Sequence, residues 1–496
     1  MERKWWTLIA VCVAIFMLLL DITVVNVALP SIQKALRSNF QDLQWVVDAY
    51  SLTLAAFLLT GGALADLLGR RLLFTIGLVV FTASSAVCGL STTPLMLNLA
   101  RGVQGVGGAL MFATSLALIA QAFHGRERGT AFGIFGAVTG AAVAAGPLIG
   151  GVITSAIGWE WIFFVNVPIG AIAVALTLRE VEESRDPHAS GVDWAGLVTF
   201  SGALFLLVFA LVRGNGLGWG STEVVAMLSG AALLFALFIL AERMQERPML
   251  DLSLFKRPAF AGANIVAFTL SSSAFAMFLY LTLYIQDVLH YTPLQAGLRF
   301  LPTTLLMFFV SPISGRLSVR VPIRVLLGVG LLFVSGGLLA MTLITPTSSW
   351  TALIPGFVLQ GIGVGLINPP LASAAVGVVP PARSGMASGA NSTFRQVGIA
   401  TGIAALGAIF QHDLGVSEGA IGQVSHATFV NAFTNILEIG AAVAFIGAIC
   451  AFALVRSRDF VASHAPDEAA TPSVAGAAEQ GSGAGEPLVA GASEHG

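Results

Sequence analysis

The chain has 496 residues, 56% of them hydrophobic and only 10% charged, and its formal net charge is -2. Soluble domains carry about 25% charged residues. A water-facing surface around so large an apolar mass is therefore excluded, and the bilayer must act as solvent for most of the chain. The small net charge offers nothing to a nucleic-acid partner. Cys12, Cys88 and Cys450 lie in apolar runs and form neither a disulfide framework nor a metal pattern. No pair of histidines has ligand spacing, so no metal or cofactor is expected.

Arg3 and Lys4 precede an apolar run that reaches Leu29, interrupted only by Asp21 and Asn26. The run is too long for a signal peptide and lacks a small-residue cleavage site, so it reads as the first spanning helix. A span needs roughly 20 mostly apolar residues. That rule predicts fourteen helices, over 5–29, 45–64, 72–91, 94–121, 129–154, 161–178, 194–212, 221–241, 259–284, 293–312, 323–344, 350–375, 385–410 and 429–455. Residues 456–496, rich in Ala, Gly, Ser, Glu and Pro, read as a disordered cytoplasmic tail. With the N-terminus inside, 18 of the 24 Lys and Arg fall in inner segments, against Lys34, Arg37 and Arg213 outside. This bias predicts cytoplasmic termini and an even helix count. A count of twelve would require discarding 194–212 and 221–241, which are both long and apolar enough to insert.

The chain repeats itself. Gln104-Gly105 in RGVQGVGGAL falls on Gln360-Gly361 in FVLQGIGVGL at an offset of 256, and Gly129, Ala131 and Gly133 fall on Gly385, Ala387 and Gly389 at the same offset. The expected organisation is an N-terminal six-helix bundle over 1–180, two inserted helices over 181–250, a C-terminal bundle over 251–455 and the tail. Parallel repeats of this kind mark one major class of secondary transporter.

Ionisable groups in hydrocarbon are costly and ask for a function. Asp21 and Arg101 lie at similar depths, Asp21 about 12 Å from the outer end of its helix at 1.5 Å per residue. Paired, each would relieve the other's desolvation, and the proton affinity of Asp21 would depend on the position of Arg101. That is a device for proton coupling. Glu438 lies at comparable depth and is a second candidate carrier; Arg395 on helix 13 is placed either to pair with Glu438 or to face an anionic group of the substrate. The repeat places Phe357 where the first half has Arg101, so the two halves differ in their ionisable groups.

GALADLLGRR, residues 62–71, separates helices 2 and 3. Gly62 and Gly69 permit close approach and tight reversal. Asp66 is placed to accept from the free amides that open a neighbouring helix, for instance helix 13 near Ser384. With Arg70 and Arg71 it is the candidate conformational latch. The repeat carries Val319 in its place, so the latch is expected on one side only. In helix 5, Gly136, Gly140 and Ala144 share a face, and Gly146-Pro147 frees backbone carbonyls, which makes a candidate hinge. Asn26, Gln104, Arg395, Phe278 and Tyr284 are the candidate residues of a cavity between the halves. Aromatic faces on helix 9 suit a flat or cationic molecule.

These stretches resemble the major facilitator superfamily, specifically its fourteen-helix drug/proton antiporters of the EmrB/QacA type. LDITVVNVALP (20–30) is similar to the helix 1 signature, with Asp21 at its proton-linked position. GALADLLGRR resembles the loop 2–3 motif, with Leu67 where a basic residue is frequent. RGVQGVGGA (101–109) resembles the helix 4 motif, whose arginine is tied to proton coupling. GAAVAAGPLIGG (140–151) resembles the antiporter signature of helix 5, which adds Gly150 and Gly151 to the hinge. WEWIFFVNVPIG (159–170) and FRQVG (394–398) resemble further signatures of the subgroup. The resemblance implies a monomeric, proton-coupled exporter of drug-like compounds in the bacterial inner membrane, working by alternating access. The alternative is a dedicated exporter of one metabolite such as an antibiotic, siderophore or lipid. No cluster of nucleophile, acid and metal-binding groups supports an enzyme, and duplicated halves with buried charges disfavour a channel.

Overall fold

The computed structural model describes residues 2–38, 40–185, 193–245, 248–415 and 425–456. The expected tail beyond 456 lies outside the described residues. Among the described residues all regular structure is helical. The long segments are α1 (Arg3–Leu36), α2 (Phe40–Leu68), α3 (Arg70–Gly89), α4 (Pro94–Ala122), α5 (Gly125–Ala156), α6 (Trp161–Glu180), α7 (Trp194–Leu217), α8 (Thr222–Met244), α9 (Pro258–Gln286), α10 (Leu301–Leu317), α11 (Ile323–Met341), α12 (Ile354–Gly377), α13 (Ser384–Leu414) and α14 (His426–Leu454). Twelve of them, counted among the described residues, are long and apolar enough to cross a membrane. The other two are α5 and α10.

Local chemistry sets the breaks. Gly69 separates α2 from α3 with φ +125°, a conformation that favours glycine. The Thr93 hydroxyl accepts from the Met96 amide, and Pro94 opens α4 where no amide is needed. The helix expected over 293–312 is instead two pieces, Pro293–Arg299 and α10, broken at Phe300. Pro302 has no N–H to continue the ladder, and its ring crowds the carbonyl four residues back. Helix α9 contains π-helical turns over Ser271–Phe275 and Tyr284–Val288. Nothing in the apolar pattern signals them.

The packing repeats as the sequence does. Helix α1 packs on α5 and α6, α2 on α4, and α3 on α4 and α6. Eight helices later, α9 packs on α13 and α14, α10 on α12, and α11 on α12 and α14. In lipid, helix association depends on close packing of small residues, and these recur too. Gly77 meets Gly107 between α3 and α4, and Gly330 meets Gly363 between α11 and α12. Each half has its own apolar core. Leu18, Phe74, Phe81 and Met111 belong to the first, and Leu331, Leu338, Phe357 and Phe433 to the second.

The two most extensive crossings between the halves are α2 against α13 and α5 against α10. Each is the other displaced by eight helices. Helix α7 lies on both α2 and α13. There the Thr60 and Ser201 hydroxyls are 2.9 Å apart, and the Asn215 amide donates to the Ala404 carbonyl at 3.3 Å. Helix α8 packs on α7 and turns Leu233, Leu237 and Leu240 outward.

Candidate functional site

Asp21 and Arg101 meet. The arginine Nη1 donates to Asp21 Oδ2 at 2.5 Å, and both residues are at most 2% exposed. Asp21 Oδ1 accepts from Gln104 Nε2 and from Asn166 Nδ2, each at 3.0 Å. Arg101 also donates to the Val46 carbonyl at 3.0 Å and to Gln104 Oε1 at 2.9 Å, and its guanidinium sits 4.2 Å from the centroid of the Tyr50 ring. Asn166 donates on to Ser85 at 3.0 Å. One carboxylate thus gathers α1, α2, α3, α4 and α6 around a single polar cluster. Such a pair is tolerable in hydrocarbon only because its remaining donors and acceptors are satisfied. Asn166 was missed as a site residue. Its signal was a lone amide in the otherwise apolar run WIFFVNVPIG. Gln104, expected in a substrate cavity, is fully buried inside this cluster instead, because the carboxylate and guanidinium need its amide.

At the far end of α2, Asp66 reaches the other half. Its Oδ1 accepts from the Gly385 amide at 2.9 Å and its Oδ2 from the Met386 amide at 2.8 Å. These are orphan N–H groups at the start of α13, where the helix favours negative charge. Arg70 donates to Asp66 at 2.8 Å and to the Ala382 carbonyl at 2.7 Å. Glycine lets the backbones close: a Cβ on Gly62 would run into the Gly385 carbonyl. Arg71 turns away, donating to the Val181 carbonyl at 3.2 Å. Glu183, missed as a site residue, caps α3 by accepting from the amides of Arg71 and Leu72 at 3.0 Å each. It also packs against Gly69. An acid in a loop carries no signal that it caps a helix 110 residues upstream.

A second ion pair, within the second half, ties the start of α13 to the segment that precedes α9. Arg383 donates to Asp251 at 3.0 Å. Burial works against the ionised Asp251 carboxylate, but bonds from Ser253 and the nearby Arg383 outweigh it and hold the group below the usual carboxylate range.

At the other crossing the same glycines occur without the acid. A Cβ on Gly129 would strike the Gly315 carbonyl, and the reverse also holds. Val319, the counterpart of Asp66, is 45% exposed. Helix α5 stays helical from Gly125 to Ala156. Gly140 faces Met307 of α10, whereas Gly146 faces Thr23 and Gly150 faces Val24 of α1. Gly151 meets no neighbour within 4 Å, so its inclusion with the packed hinge glycines is corrected. Pro147 lies within the helix, but its side chain lies outside the described residues.

The remaining cavity candidates do not converge. Tyr284 is buried in the second core, its ring 5.3 Å from that of Phe433, because its apolar body packs better there than at a polar seam. Phe278 is half-buried against Phe300 at 4.3 Å, and Asn26 is exposed, donating to its own helix at Ile22. The expected pairing of Arg395 with Glu438 is also corrected. Glu438 is exposed on the outward stripe of α14 with Phe445 and Ile449, since seven and eleven residues on bring the helix back to the same face. Arg395 instead donates to Asn368 Oδ1 of α12 at 2.8 Å. Among the described residues it has no carboxylate partner.

Duplicated helical halves, glycine-tight crossings between them and a buried ion pair in one half are the arrangement of a membrane carrier. The family profile of the Major Facilitator Superfamily matches residues 11–403, and the chain belongs to that family. It is 40% identical over 404 residues to the multidrug resistance protein Stp of Mycobacterium tuberculosis, covering 81% of this chain and 75% of that one. It is 34% identical over 414 residues to the tetracenomycin C resistance and export protein of Streptomyces glaucescens, covering 83% of this chain and 77% of that one. Among solved structures, the proton:xylose symporter XylE matches with a TM-score of 0.65 at 12% identity, covering 91% of this chain and 96% of that one. At that identity the likeness shows the fold alone.

Proposed function

We propose that this chain is a proton-coupled exporter of drug-like organic compounds, with both termini cytoplasmic in a bacterial inner membrane. In this reading α5 and α10 span as well, giving fourteen transmembrane helices. Two six-helix bundles, 1–180 and 251–455, rock about the seam between them, and the segment 181–250 carries the inserted pair. The multidrug and antibiotic resistance relatives support export, and the Asp21 cluster carries the case for proton coupling. The Asp21 carboxylate accepts from three donors on two other helices, Arg101 and Gln104 of α4 and Asn166 of α6, so relative motion of those helices changes its donor set. A carboxylate stripped of its counter-charge in hydrocarbon is neutralised most cheaply by taking up a proton. In the same cycle Asp66 clamps the start of α13 while the inner mouth is shut and releases it when the mouth opens. The glycine face of α5, packed between α1 and α10, is the bearing on which the halves turn.

The test is an efflux panel of dyes and antibiotics in proteoliposomes with an imposed pH gradient, wild type against Asp21→Asn. Wild type exports down the gradient. The variant inserts and binds cargo but no longer responds to pH. Undiminished gradient-driven efflux by Asp21→Asn would end the proton-coupling assignment. The tetracenomycin relative is named for a single compound and favours the narrower reading, a dedicated exporter of one metabolite. Efflux of only one member of the panel would establish it.

A further inference from the structure

The second half contains a cation that no carboxylate among the described residues neutralises. Arg395 of α13 is half-buried, and its guanidinium offers five N–H donors in a planar fork. Among the described residues one of its bonds goes to a side chain, Asn368 Oδ1 at 2.8 Å. Asn368 is 6% exposed. A guanidinium only donates, so the amide must turn its oxygen to Arg395 and its amino group away. That amino group is buried and has no acceptor. Buried donors without partners are uncommon and costly, and an intramembrane charge without a counter-ion more so. The two residues sit on α12 and α13, the second-half helices that pack against α4 and α5 of the first. Ala372 and Val376, four and eight residues beyond Asn368, pack into the core of the first half, so the face of α12 that carries Asn368 turns toward the seam. Arg101 has the opposite surroundings, with a carboxylate, an amide and a carbonyl all accepting from it.

We infer that Arg395 and Asn368 form a recognition point for an anionic oxygen group of the exported molecule, a carboxylate or ionised phenol on an apolar ring system. The inference rests on the export reading for its cargo but is tested by binding alone. The ligand's oxygen would accept from the free edge of the guanidinium and from the Asn368 amino group. Binding would thus complete both residues and supply the missing negative charge. Paired donors in fixed geometry suit a two-oxygen group.

The probes are fluorescein, which carries a carboxylate, and a rhodamine methyl ester, which shares its ring system without the acid. Both are titrated by anisotropy against detergent-purified full-length protein, with no gradient imposed. Wild type should prefer fluorescein. Asn368→Asp places a permanent carboxylate against Arg395. It should keep or raise the melting temperature while weakening fluorescein binding by about tenfold or more and leaving the ester unchanged. Arg395→Gln should show the same selective loss, and Arg395→Lys should restore part of it. Equal weakening of both probes, or a wild type that fails to prefer fluorescein, would overturn the assignment. Anion-selective binding without pH-driven efflux of any compound would remove the export reading and leave this site standing. Efflux without such selectivity would remove this site alone.

Discussion

The two halves of the chain share a packing scheme and differ in what they do with charge. In the first half, Arg101 and Asp21 are buried together, and the guanidinium meets a carboxylate, an amide oxygen and a carbonyl. In the second, the position of Arg101 is Phe357 and that of Gln104 is Gln360, whose Nε2 is buried without a partner. The lone cation has moved to Arg395, beside an amide that is itself half satisfied. The seam shows the same divergence. Both inter-half crossings bring glycine backbones together, but only the α2–α13 crossing is clasped by an acid. Close packing constrains the glycines of both copies alike, whereas a polar group is free to change once its partners change with it. Duplication has therefore kept the contacts and released the chemistry, giving a closed, self-neutralised cluster in one half and an open one in the other.

The largest test of that contrast removes the guanidinium from the closed cluster. Arg101→Ala leaves Asp21 buried with its counter-charge gone and should cost about 3–5 kcal/mol, seen as a loss of monodisperse protein after extraction or a large fall in melting temperature. If the variant is as stable as wild type, the cluster is not the closed unit described here. Next, Asp66→Asn keeps one carbonyl oxygen but turns an amino group on the orphan amides of α13. Charged hydrogen bonds of this kind are each worth about 1.5–3 kcal/mol. Cysteine pairs across the α2–α13 mouth should cross-link less and label faster in the variant. Unchanged labelling would mean that the glycines alone hold the mouth.

A smaller effect comes from pH. Asp251 has its folded value below the unfolded one, so its bridge to Arg383 contributes at neutral pH and is lost as pH falls through the folded value. The pair is partly exposed, which limits the contribution to about 1 kcal/mol or less. Asp251→Asn should lower the melting temperature slightly at neutral pH and not at all once wild-type Asp251 is protonated. A gap that persists in acid would assign the effect to Ser253 and the backbone instead. The smallest effect is at the undefended crossing. Val319→Asp should change stability by no more than about 0.5 kcal/mol, because the side chain is exposed. A marked tightening of the α5–α10 mouth by this variant would show that the two crossings differ by one residue and nothing else.

Twelve of the fourteen expected spans were legible because a helix in lipid must satisfy its own backbone and cover itself with apolar side chains, and both leave marks on the local sequence. The pairing of Asp21 with Arg101 was legible for a related reason: two rare charges at equal depth have few ways to be tolerated. Asp66 was legible as an acid able to meet the start of α13, since helix starts offer free amides. Arg395 was legible as an oddity, but its partner was not. Depth suggested Glu438, and the helix rotation that sends Glu438 to the outward stripe is set by how α14 packs on α11. Asn166, Glu183 and Asn368 were hidden for the same reason, since an amide or an acid in a span or loop is ordinary until its neighbours are known.

Length, composition and the 256-residue echo by themselves determined that this is a duplicated, helical membrane protein with an intramembrane acid, Asp21, and its opposing arginine in the first copy. These properties follow from local solvation and spacing, which act within a helix. Only the tertiary structure decided which donors share the Asp21 carboxylate, which crossing is clasped, and that Arg395 meets no carboxylate among the described residues. Those depend on the rotation and contact of helices hundreds of residues apart, and periodicity along the chain carries no record of them.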